Sequence, residues 1–175
     1  MKKLHSFLFL SILLGLSSCS SDDTEIQFTF LQLNDVYEIG ETGGQGGLAR
    51  VQTLYNDLEK DNPNILMFMA GDFLNPSLLS TIKVDGKRLK GKHMIEVMNA
   101  MNFDLVCFGN HEFDPKEAEF QERLNESTFQ WLSTNAMHQI GDKTEPFFVQ
   151  KDSIKTSIPK TFTFNLKDKD GTEIN

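Results

Sequence analysis

The sequence has no excess of positive charge. Its 175 residues include 17 Lys and Arg against 25 Asp and Glu, which gives a formal net charge of −8. This balance disfavours the phosphate backbone of a nucleic-acid polymer as a partner. An acidic protein can still bind small phosphate compounds if metal ions supply positive charge locally. The glycine-rich residues 40–47 are not followed by the lysine of a phosphate-binding loop, which argues against a nucleoside-triphosphate cradle of that type.

The sequence also lacks an apolar run long enough to span a bilayer. Residues 7–16 are apolar but too short for that purpose, and they follow the basic Lys2 and Lys3. This arrangement predicts a secretory signal peptide over residues 1–18. Residues 16–19, Leu-Ser-Ser-Cys, resemble the lipobox of bacterial lipoproteins, which implies cleavage before Cys19 and lipidation of that residue. An ordinary secretory signal with an incidental cysteine is the alternative.

Cysteine is scarce, with two residues in the whole chain. Lipidation of Cys19 would leave Cys107 without a partner, so we expect no disulfide. Cys107 lies in an apolar run and is expected to be a small buried hydrophobe. Residues 19–25 form a polar tether. Ser20, directly after the lipidated cysteine, favours the outer membrane of a Gram-negative bacterium, on its periplasmic or surface side.

After residue 25, strand-like and helical apolar patterns alternate, which is typical of a largely parallel sheet with helices on its faces. The segments with strand-like patterns are residues 26–33, 65–69, 103–108, 129–136, 145–149 and 161–166. The segments with amphipathic helical patterns are residues 48–60, 91–101 and 115–124. The alternation predicts an α/β domain of moderate size or a piece of a larger one.

Polar side chains follow three predicted strands at the point where each strand ends. These side chains are Asp35, Asp72 and Asn110. Because the carboxyl ends of adjacent parallel strands meet at one edge of a sheet, we expect the three to lie close together. Carboxylate and amide oxygens bind hard or borderline metal ions. Each residue alone is equally well explained as a turn or cap residue, but three in phase favour half of a two-metal site.

The segment from Gly109 to Asp114 carries further polar chemistry. His111 can donate a proton or contact a phosphate, and Asp114, three residues later, can orient or charge its imidazole. The structural alternative is a polar turn in which Asp114 caps a helix that begins at Pro115. One carboxylate can serve both roles. His93, on the second predicted helix, is expected to be exposed or hydrogen-bonded rather than a metal ligand.

Five short motifs in this order resemble those of the calcineurin-like metallophosphoesterases. More narrowly, they resemble the secreted 5′-nucleotidases, which include UDP-sugar hydrolases and 2′,3′-cyclic-nucleotide phosphodiesterases. The motifs are Leu-Asn-Asp at 33–35, Gly-Leu-Ala-Arg at 47–50, Ala-Gly-Asp at 70–72, Gly-Asn-His-Glu-Phe-Asp at 109–114 and Ser-Thr-Asn-Ala at 133–136. The resemblance covers residues 26–166. It implies a metallophosphoesterase-type four-layer α/β/β/α sandwich, of which residues 26–175 form the N-terminal half.

The resemblance also implies a role for each site residue. Asp35 would bind the first of two divalent ions (zinc, manganese or similar), Asp72 would bridge both, and Asn110 would bind the second. His111 and Asp114 would form the pair that stabilises the transition state and assists the leaving group. The implied reaction is hydrolysis of phosphate esters of nucleotides or nucleotide derivatives by a hydroxide that the two metals activate.

The sequence departs from this family in two respects. Tyr37 stands where the family has a histidine, and a neutral phenol is a poor ligand for zinc or manganese, so the first metal site is expected to differ in affinity or identity. The family's further histidine ligands lie beyond residue 175, and His138 is not in a context to replace them. These residues alone are therefore expected to hydrolyse little. For Arg50 a structural salt bridge or helix-surface contact is expected.

The resulting prediction is the N-terminal part of a 5′-nucleotidase-like metallophosphatase, lipid-anchored in the cell envelope and acting in nucleotide catabolism. Two other interpretations stay open. A catalytically inactive lipoprotein could keep the fold as a binding or surface protein, which the presence of Tyr37 favours. Another phosphoesterase of the same superfamily could act on polyphosphate or sulfur-oxyacid substrates.

Overall fold

The computed structural model describes residues 26–168 and 171–174. The predicted signal peptide, the lipidation site at Cys19 and the tether at residues 19–25 lie outside the described residues. Across the two described ranges, no helix is both long enough and apolar enough to cross a membrane.

Short strands alternate with helices through the first two thirds of the described residues. In chain order the strands are β1 (Thr29–Leu33), β2 (Ile65–Met69), β3 (Lys83–Val84), β4 (Lys87–Arg88), β5 (Leu105–Cys107), β6 (Gln130–Leu132), β7 (His138–Ile140), β8 (Lys143–Glu145), β9 (Phe148–Lys151), β10 (Ile154–Ser157), β11 (Leu166–Lys167) and β12 (Glu173–Ile174). The helices are α1 (Leu48–Asp61), α2 (Lys92–Ala100) and α3 (Glu117–Glu126), with 3₁₀ turns at Leu79–Thr81 and His111–Phe113.

A four-stranded parallel sheet in the order β1-β2-β5-β6 sets the geometry of the site. Leu33 pairs with Met69, and Met69 pairs in turn with Val106, so the strands end at a common edge. Helices α1, α2 and α3 lie in the connections between successive strands of this sheet. The predicted α/β class is therefore confirmed. The other strands of the described residues pair in two-stranded antiparallel sheets, so the second sheet of the predicted four-layer sandwich is not formed here.

The elements with the strongest apolar patterns lie where the sequence predicts them. Strand β2 coincides with the predicted run at 65–69, and α1 begins at the predicted Leu48. Leu48 is buried, and Val51 and Tyr55 pack against the core from the same helix face. Leu54, an apolar residue of the same helix, is 49% exposed, so the buried face of α1 is narrower than its apolar pattern. The helical period thus predicts the element better than the width of its buried face.

Helix α3 begins later than predicted. It starts at Glu117 rather than at Pro115, and Lys116 is the N-cap residue. The side chain of Glu119 accepts the backbone N–H of Lys116 at 3.0 Å, which ties the first turn together. The predicted helix-capping role of Asp114 is therefore wrong, since its carboxylate is engaged by side chains of the site described below.

Among the predicted strands only β2 keeps its bounds: β1 and β5 are shorter, the predicted strand at 145–149 is divided between β8 and β9, and two others are shortened further. Residues 129–136 contribute only β6, and the segment at 161–166 is irregular until β11 begins at Leu166. The backbone around the two phenylalanines of that segment forms no strand ladder, and among the described residues only one of the two rings contacts another aromatic ring. The ring of Phe164 lies 5.5 Å from that of Phe28, whereas Phe162 is 43% exposed. An alternating pattern produces a strand only where another strand offers its backbone groups.

The buried core connects the sheet to the site. Trp131 on β6 is fully buried, and its indole N–H donates to Ser127 Oγ at 2.7 Å, so its polar atom is satisfied. Its ring lies 5.9 Å from that of Phe73, which is also fully buried. Because Phe73 directly follows Asp72, this packing anchors the loop after β2.

His93 on α2 is buried rather than exposed. Its side chain is 8% exposed, and within the described part of the chain neither ring nitrogen has a hydrogen-bond partner. The prediction of an exposed or hydrogen-bonded histidine is therefore wrong. Burial lowers the pKa of His93 below the ordinary histidine value of 6.5, and the charges of Glu38 and Glu96 oppose this effect.

We expect His93 to make the protein less stable in mild acid. Because its folded-state pKa is lowered, the unfolded chain binds a proton below pH 6.5 that the folded chain does not, so stability falls as the pH falls below that value. His93→Leu should remove this part of the pH dependence. It should also raise the free energy of unfolding at pH 7 by about 1 kcal/mol, since two unsatisfied buried polar atoms are lost.

Urea unfolding of the wild type and the His93→Leu variant between pH 5 and pH 8 measures both effects. The difference between their free energies of unfolding should grow towards pH 5. A constant difference over this range would contradict the assignment of the titrating group to His93.

Candidate functional site

The candidate site lies at the edge where the parallel strands end. Asp35 follows β1 by two residues, and Asp72 and Asn110 follow β2 and β5 by three residues each. The backbone N–H of Asp35 donates to Gly71 O at 3.1 Å, and the backbone N–H of His111 donates to Asp72 Oδ1 at 2.8 Å. The structure therefore brings the predicted residues of three strand ends together at the position where α/β sheets bind ligands.

Asp35 and Asp72 both have a left-handed backbone conformation. Their φ angles are 55° and 61°. This conformation costs a residue other than glycine about 1–3 kcal/mol, and it persists where surrounding contacts fix it. Strained residues of this kind cluster at functional sites, and two of them at neighbouring strand ends point to this edge of the sheet.

Two glycines allow the loops after β2 and β5 to touch. A Cβ atom added to Gly71 would lie 2.1 Å from the backbone nitrogen of Gly109, and Gly71 also has a φ of 90°. A Cβ atom added to Gly109 would lie 2.2 Å from Asp72 Oδ1. Neither position has space for a side chain. The two loops therefore pack backbone against backbone, with the Asp72 carboxylate directly over Gly109.

Both carboxylate oxygens of Asp35 accept hydrogen bonds. Asn34 Nδ2 donates to Oδ2 at 2.6 Å, and the Tyr37 hydroxyl donates to Oδ1 at 2.9 Å. These two hydrogen bonds lower the pKa of Asp35. Desolvation and the hydrogen bond to Asp35 raise the pKa of Tyr37 to about 12. Tyr37 is therefore a neutral donor at pH 7, and it occupies an oxygen that a metal ion would need.

His111 and Asp114 are hydrogen-bonded, with Nδ1 of the imidazole 2.7 Å from Oδ2 of the carboxylate. A carboxylate accepts but does not donate, so Nδ1 carries the proton and Nε2 is the nitrogen that can act on a ligand. This hydrogen bond raises the pKa of His111 and lowers that of Asp114. Asn75 Nδ2 donates to the same Oδ2 atom at 2.7 Å. The Tyr37 and His111 rings meet edge to face at 5.9 Å.

The profile of the family described as calcineurin-like phosphoesterase matches residues 28–172. The chain belongs to the calcineurin-like phosphoesterases. The 5′-nucleotidase of Homo sapiens is 30% identical to it over 122 residues, which cover 62% of this chain and 20% of the human protein. The snake venom 5′-nucleotidase of Gloydius brevicauda is 29% identical over 121 residues, with the same coverage of 62% and 20%. The chain thus spans about a fifth of the length of these curated relatives.

Two solved structures share the fold of this chain. The structure of Haemophilus influenzae NAD nucleotidase matches with a TM-score of 0.55 at 27% identity, over 73% of this chain and 28% of that one. The calcineurin-like phosphoesterase YfkN from Bacillus subtilis matches with a TM-score of 0.55 at 20% identity. That match covers 85% of this chain and 46% of YfkN, and it shows a likeness of fold alone.

The strand ends of the candidate site carry oxygen donors of the kind that divalent cations bind. Asp72 and Asn110 supply a carboxylate and an amide oxygen at adjacent strand ends, a donor set that suits hard or borderline ions. In residues 26–168 and 171–174, no three His, Cys, Asp or Glu side chains form a group that could hold a metal ion. The donor chemistry of Asp72 and Asn110 suits a divalent cation, whereas each carboxylate oxygen of Asp35 already accepts a hydrogen bond.

Two further residues of the site were not predicted from the sequence. Glu112 is fully buried, and its carboxylate accepts backbone N–H groups from both site loops. Its position within the motif at 109–114 was the available signal. Asn75 donates to Asp114 across 39 residues of chain. No local pattern marks Asn75, since its contact exists only after the loops have closed.

Arg50 makes the structural contacts that were expected of it. It forms a salt bridge with Glu41 and donates to the carbonyl oxygens of Gly44 at 2.8 Å and Gly46 at 3.4 Å. These contacts tie the glycine-rich loop to the start of α1. The loop borders an open groove of about 450 Å³ that also touches Asp35 and Tyr37. Arg50 therefore shapes the surroundings of the site without belonging to it.

His138 and Cys107 contribute no group to the site. The imidazole of His138 stacks on Phe147 with ring centroids 5.1 Å apart, and its Nε2 lies 3.2 Å from a carboxylate oxygen of Glu117. Cys107 is a half-buried, free cysteine on β5, and burial raises the pKa of its thiol. A raised pKa disfavours the reactive thiolate. The sequence predicted a buried residue, whereas Cys107 is only half-buried.

Proposed function

We propose that the whole protein hydrolyses phosphate esters of nucleotides or nucleotide derivatives, as a 5′-nucleotidase-like metallophosphatase. The observation that carries this proposal is the His111–Asp114 pair at 2.7 Å beside the carboxylate-bearing strand ends. The 5′-nucleotidases among the relatives and the likeness to NAD nucleotidase support nucleotides as the substrate class. The residues described here would form one wall of the catalytic site.

The residues of this chain then have separate tasks. Asp114 accepts the Nδ1–H of His111, so Nε2 is the nitrogen that would act on the ester. A protonated imidazole can stabilise charge on the phosphoryl oxygens and protonate the leaving oxygen. Asn75 donates to Asp114 and so limits the orientations of that carboxylate. When bound by Asp35, Asp72 and Asn110, two divalent ions such as zinc or manganese would supply Lewis-acid activation of water and neutralise phosphate charge.

A second candidate function is a binding or surface protein that keeps the fold without catalysis. The observation that favours it is the pair of hydrogen bonds from Asn34 and Tyr37 to Asp35. They stabilise this carboxylate without a metal ion. The two candidates differ in one measurable property, because the enzyme requires a divalent ion for turnover and the binding protein shows no turnover.

We expect the whole purified protein to release inorganic phosphate from nucleoside 5′-monophosphates in the presence of Mn²⁺. Treatment with EDTA should lower the rate by about 100-fold or more, since Lewis-acid stabilisation of the transition state is worth several kcal/mol. Readdition of Mn²⁺ should restore the rate. UDP-sugars, 2′,3′-cyclic nucleotides and polyphosphate serve as alternative substrates. Equal turnover in EDTA, or no turnover of any of these compounds, would refute the proposal.

Tyr37→His should strengthen metal binding. The replacement removes the hydroxyl that donates to Asp35 Oδ1 and adds an imidazole, a common ligand of zinc and manganese. We expect the affinity for Mn²⁺, measured by isothermal titration calorimetry, to rise about tenfold. Tyr37→Phe is the matched control, because it removes the hydroxyl without adding a ligand and should give a smaller rise. Equal affinities for the two variants would show that an imidazole at this position does not reach the metal.

A further inference from the structure

The carboxylate of Glu112 joins the two loops that carry the candidate site. Its side chain is fully buried, with an exposed fraction of 0%. Oε2 accepts the backbone N–H groups of Gly109 at 2.6 Å and Asp72 at 2.8 Å. Oε1 accepts those of Phe73 at 2.9 Å and Leu74 at 3.3 Å. One side chain thus binds four backbone donors, three of them beyond the end of β2 and one beyond the end of β5.

The four hydrogen bonds offset the cost of burying the charged Glu112 carboxylate. A buried carboxylate without hydrogen bonds is strongly destabilising, whereas hydrogen bonds from several backbone donors offset the lost hydration. The same bonds also satisfy loop N–H groups that lie past the end of the strand ladders. The buried carboxylate is therefore stabilised by the loop N–H groups, and those N–H groups are satisfied by the carboxylate.

The hydrogen bonds of Glu112 also fix the strained aspartate. Its Oε2 atom accepts the N–H of Asp72, whose φ of 61° places it in the left-handed region. Asp72 Oδ1 in turn accepts the N–H of His111, the residue directly before Glu112. These bonds close a ring from Glu112 through the Asp72 backbone and carboxylate back to His111. A change at Glu112 must therefore reach both the candidate metal ligand and the candidate proton donor.

We propose that Glu112 is the positioning residue that holds the Asp72 carboxylate and the His111 backbone in the geometry used by the phosphoesterase site. It acts through backbone N–H groups and does not itself touch a metal ion or a substrate. The effect on catalysis rests on the proposed function. The hydrogen bonds by which Glu112 joins the two loops form a clamp between them that is testable without turnover.

Glu112→Gln tests the proposal because it keeps the shape but replaces one accepting oxygen by an N–H donor. We expect it to weaken Mn²⁺ binding by about 10–100-fold in isothermal titration calorimetry, the range found when residues supporting metal ligands are changed. Glu119→Gln is the matched control. Its carboxylate also accepts a backbone N–H, that of Lys116 at 3.0 Å, and among the described residues its other partner is Lys90, so it contacts no residue placed in the site. Its Mn²⁺ affinity should stay within twofold of the wild type.

Hydrogen exchange separates a local clamp from general destabilisation. In Glu112→Gln the amides of residues 72–74 and 109 should exchange about tenfold faster, while those of β2 at Ile65–Met69 keep wild-type rates. Glu112→Asp retains the charge and should recover part of the Mn²⁺ affinity, which also covers the case in which the glutamine variant does not fold. Wild-type Mn²⁺ affinity and exchange in both variants, or equal acceleration in β2 and in the loops, would overturn the proposal. Absence of Mn²⁺ binding by the wild type would instead refute the proposed function, with the exchange data still deciding the role of Glu112.

Discussion

Replacing His111 with alanine should lower kcat/KM of the whole protein for its phosphate ester by about 10²–10⁴-fold. Asp114 positions the imidazole and Asn75 donates to Asp114, so alanine removes both the Nδ1–H that Asp114 accepts and the Nε2 that would act on the ester. The loss should fall mainly on kcat, because the imidazole acts on charge that develops in the transition state and less on the bound ground state.

Steady-state kinetics of phosphate release under Mn²⁺ saturation measures this effect. His138→Ala is the matched control, since it removes an imidazole that stacks on Phe147 and pairs with Glu117 outside the site. Its kcat/KM should stay within about threefold of the wild type. Asp114→Asn should fall between the two, because the amide keeps the shape but not the charge. Wild-type turnover in His111→Ala would refute the assignment of His111 as proton donor.

Gly71→Ala should lower the free energy of unfolding by about 3 kcal/mol or more, or prevent folding. Two effects add. The φ of 90° disfavours any residue with a Cβ atom by about 1–2 kcal/mol. The added methyl group would also lie 2.1 Å from Gly109 N, a backbone atom that moves only if the loop after β5 moves. Overpacking of this kind costs about 1–3 kcal/mol.

Gly86→Ala separates the two effects. Gly86 has a φ of 80°, yet an added Cβ would meet no atom of the described residues within 4 Å. Its substitution should therefore cost about 1 kcal/mol, from backbone strain alone. Urea unfolding of both variants measures the difference. Equal losses in the two variants would mean that the contact between the site loops tolerates a methyl group.

The strand ends of the site were predictable because each follows a strong local pattern. Strand β2 is a continuous apolar run, and the residues that follow it are fixed within a few positions once the run is located. Neighbouring parallel strands then place Asp35, Asp72 and Asn110 at one edge without further information. Local periodicity and one topological rule were sufficient for this part of the structure.

The supporting contacts of the site were not predictable from local patterns. Glu112 and Asn75 bind partners 39 or 40 residues away, and such pairs follow from the closing of two loops rather than from spacing along the chain. The predicted cap at Asp114 was wrong because Lys116 is the N-cap of α3 and the Asp114 carboxylate pairs with His111. A helix N-terminus and an imidazole compete for one carboxylate, and the imidazole, which can carry a charge, is the partner in the folded protein.

The burial of His93 and the irregular segment at 161–166 show the same limit of local patterns. A helical histidine is exposed or buried according to what packs on that face, and the composition of the helix alone does not decide it. The alternating phenylalanines favour a strand, but a ladder also needs a neighbouring strand in register. Both outcomes depend on tertiary neighbours that the sequence pattern does not name.

The left-handed backbone at Asp35 and Asp72 lowers the stability of the fold at two residues that the proposed activity requires. Glycine adopts φ angles of 55° and 61° at lower cost than aspartate does, so replacement of either residue by glycine would relieve strain. Directed evolution for heat resistance alone would replace either carboxylate wherever the strain relieved exceeds the hydrogen bonds lost with it. Any thermostabilised descendant of this chain would have to be screened for function at the same time, with positions 35 and 72 held constant.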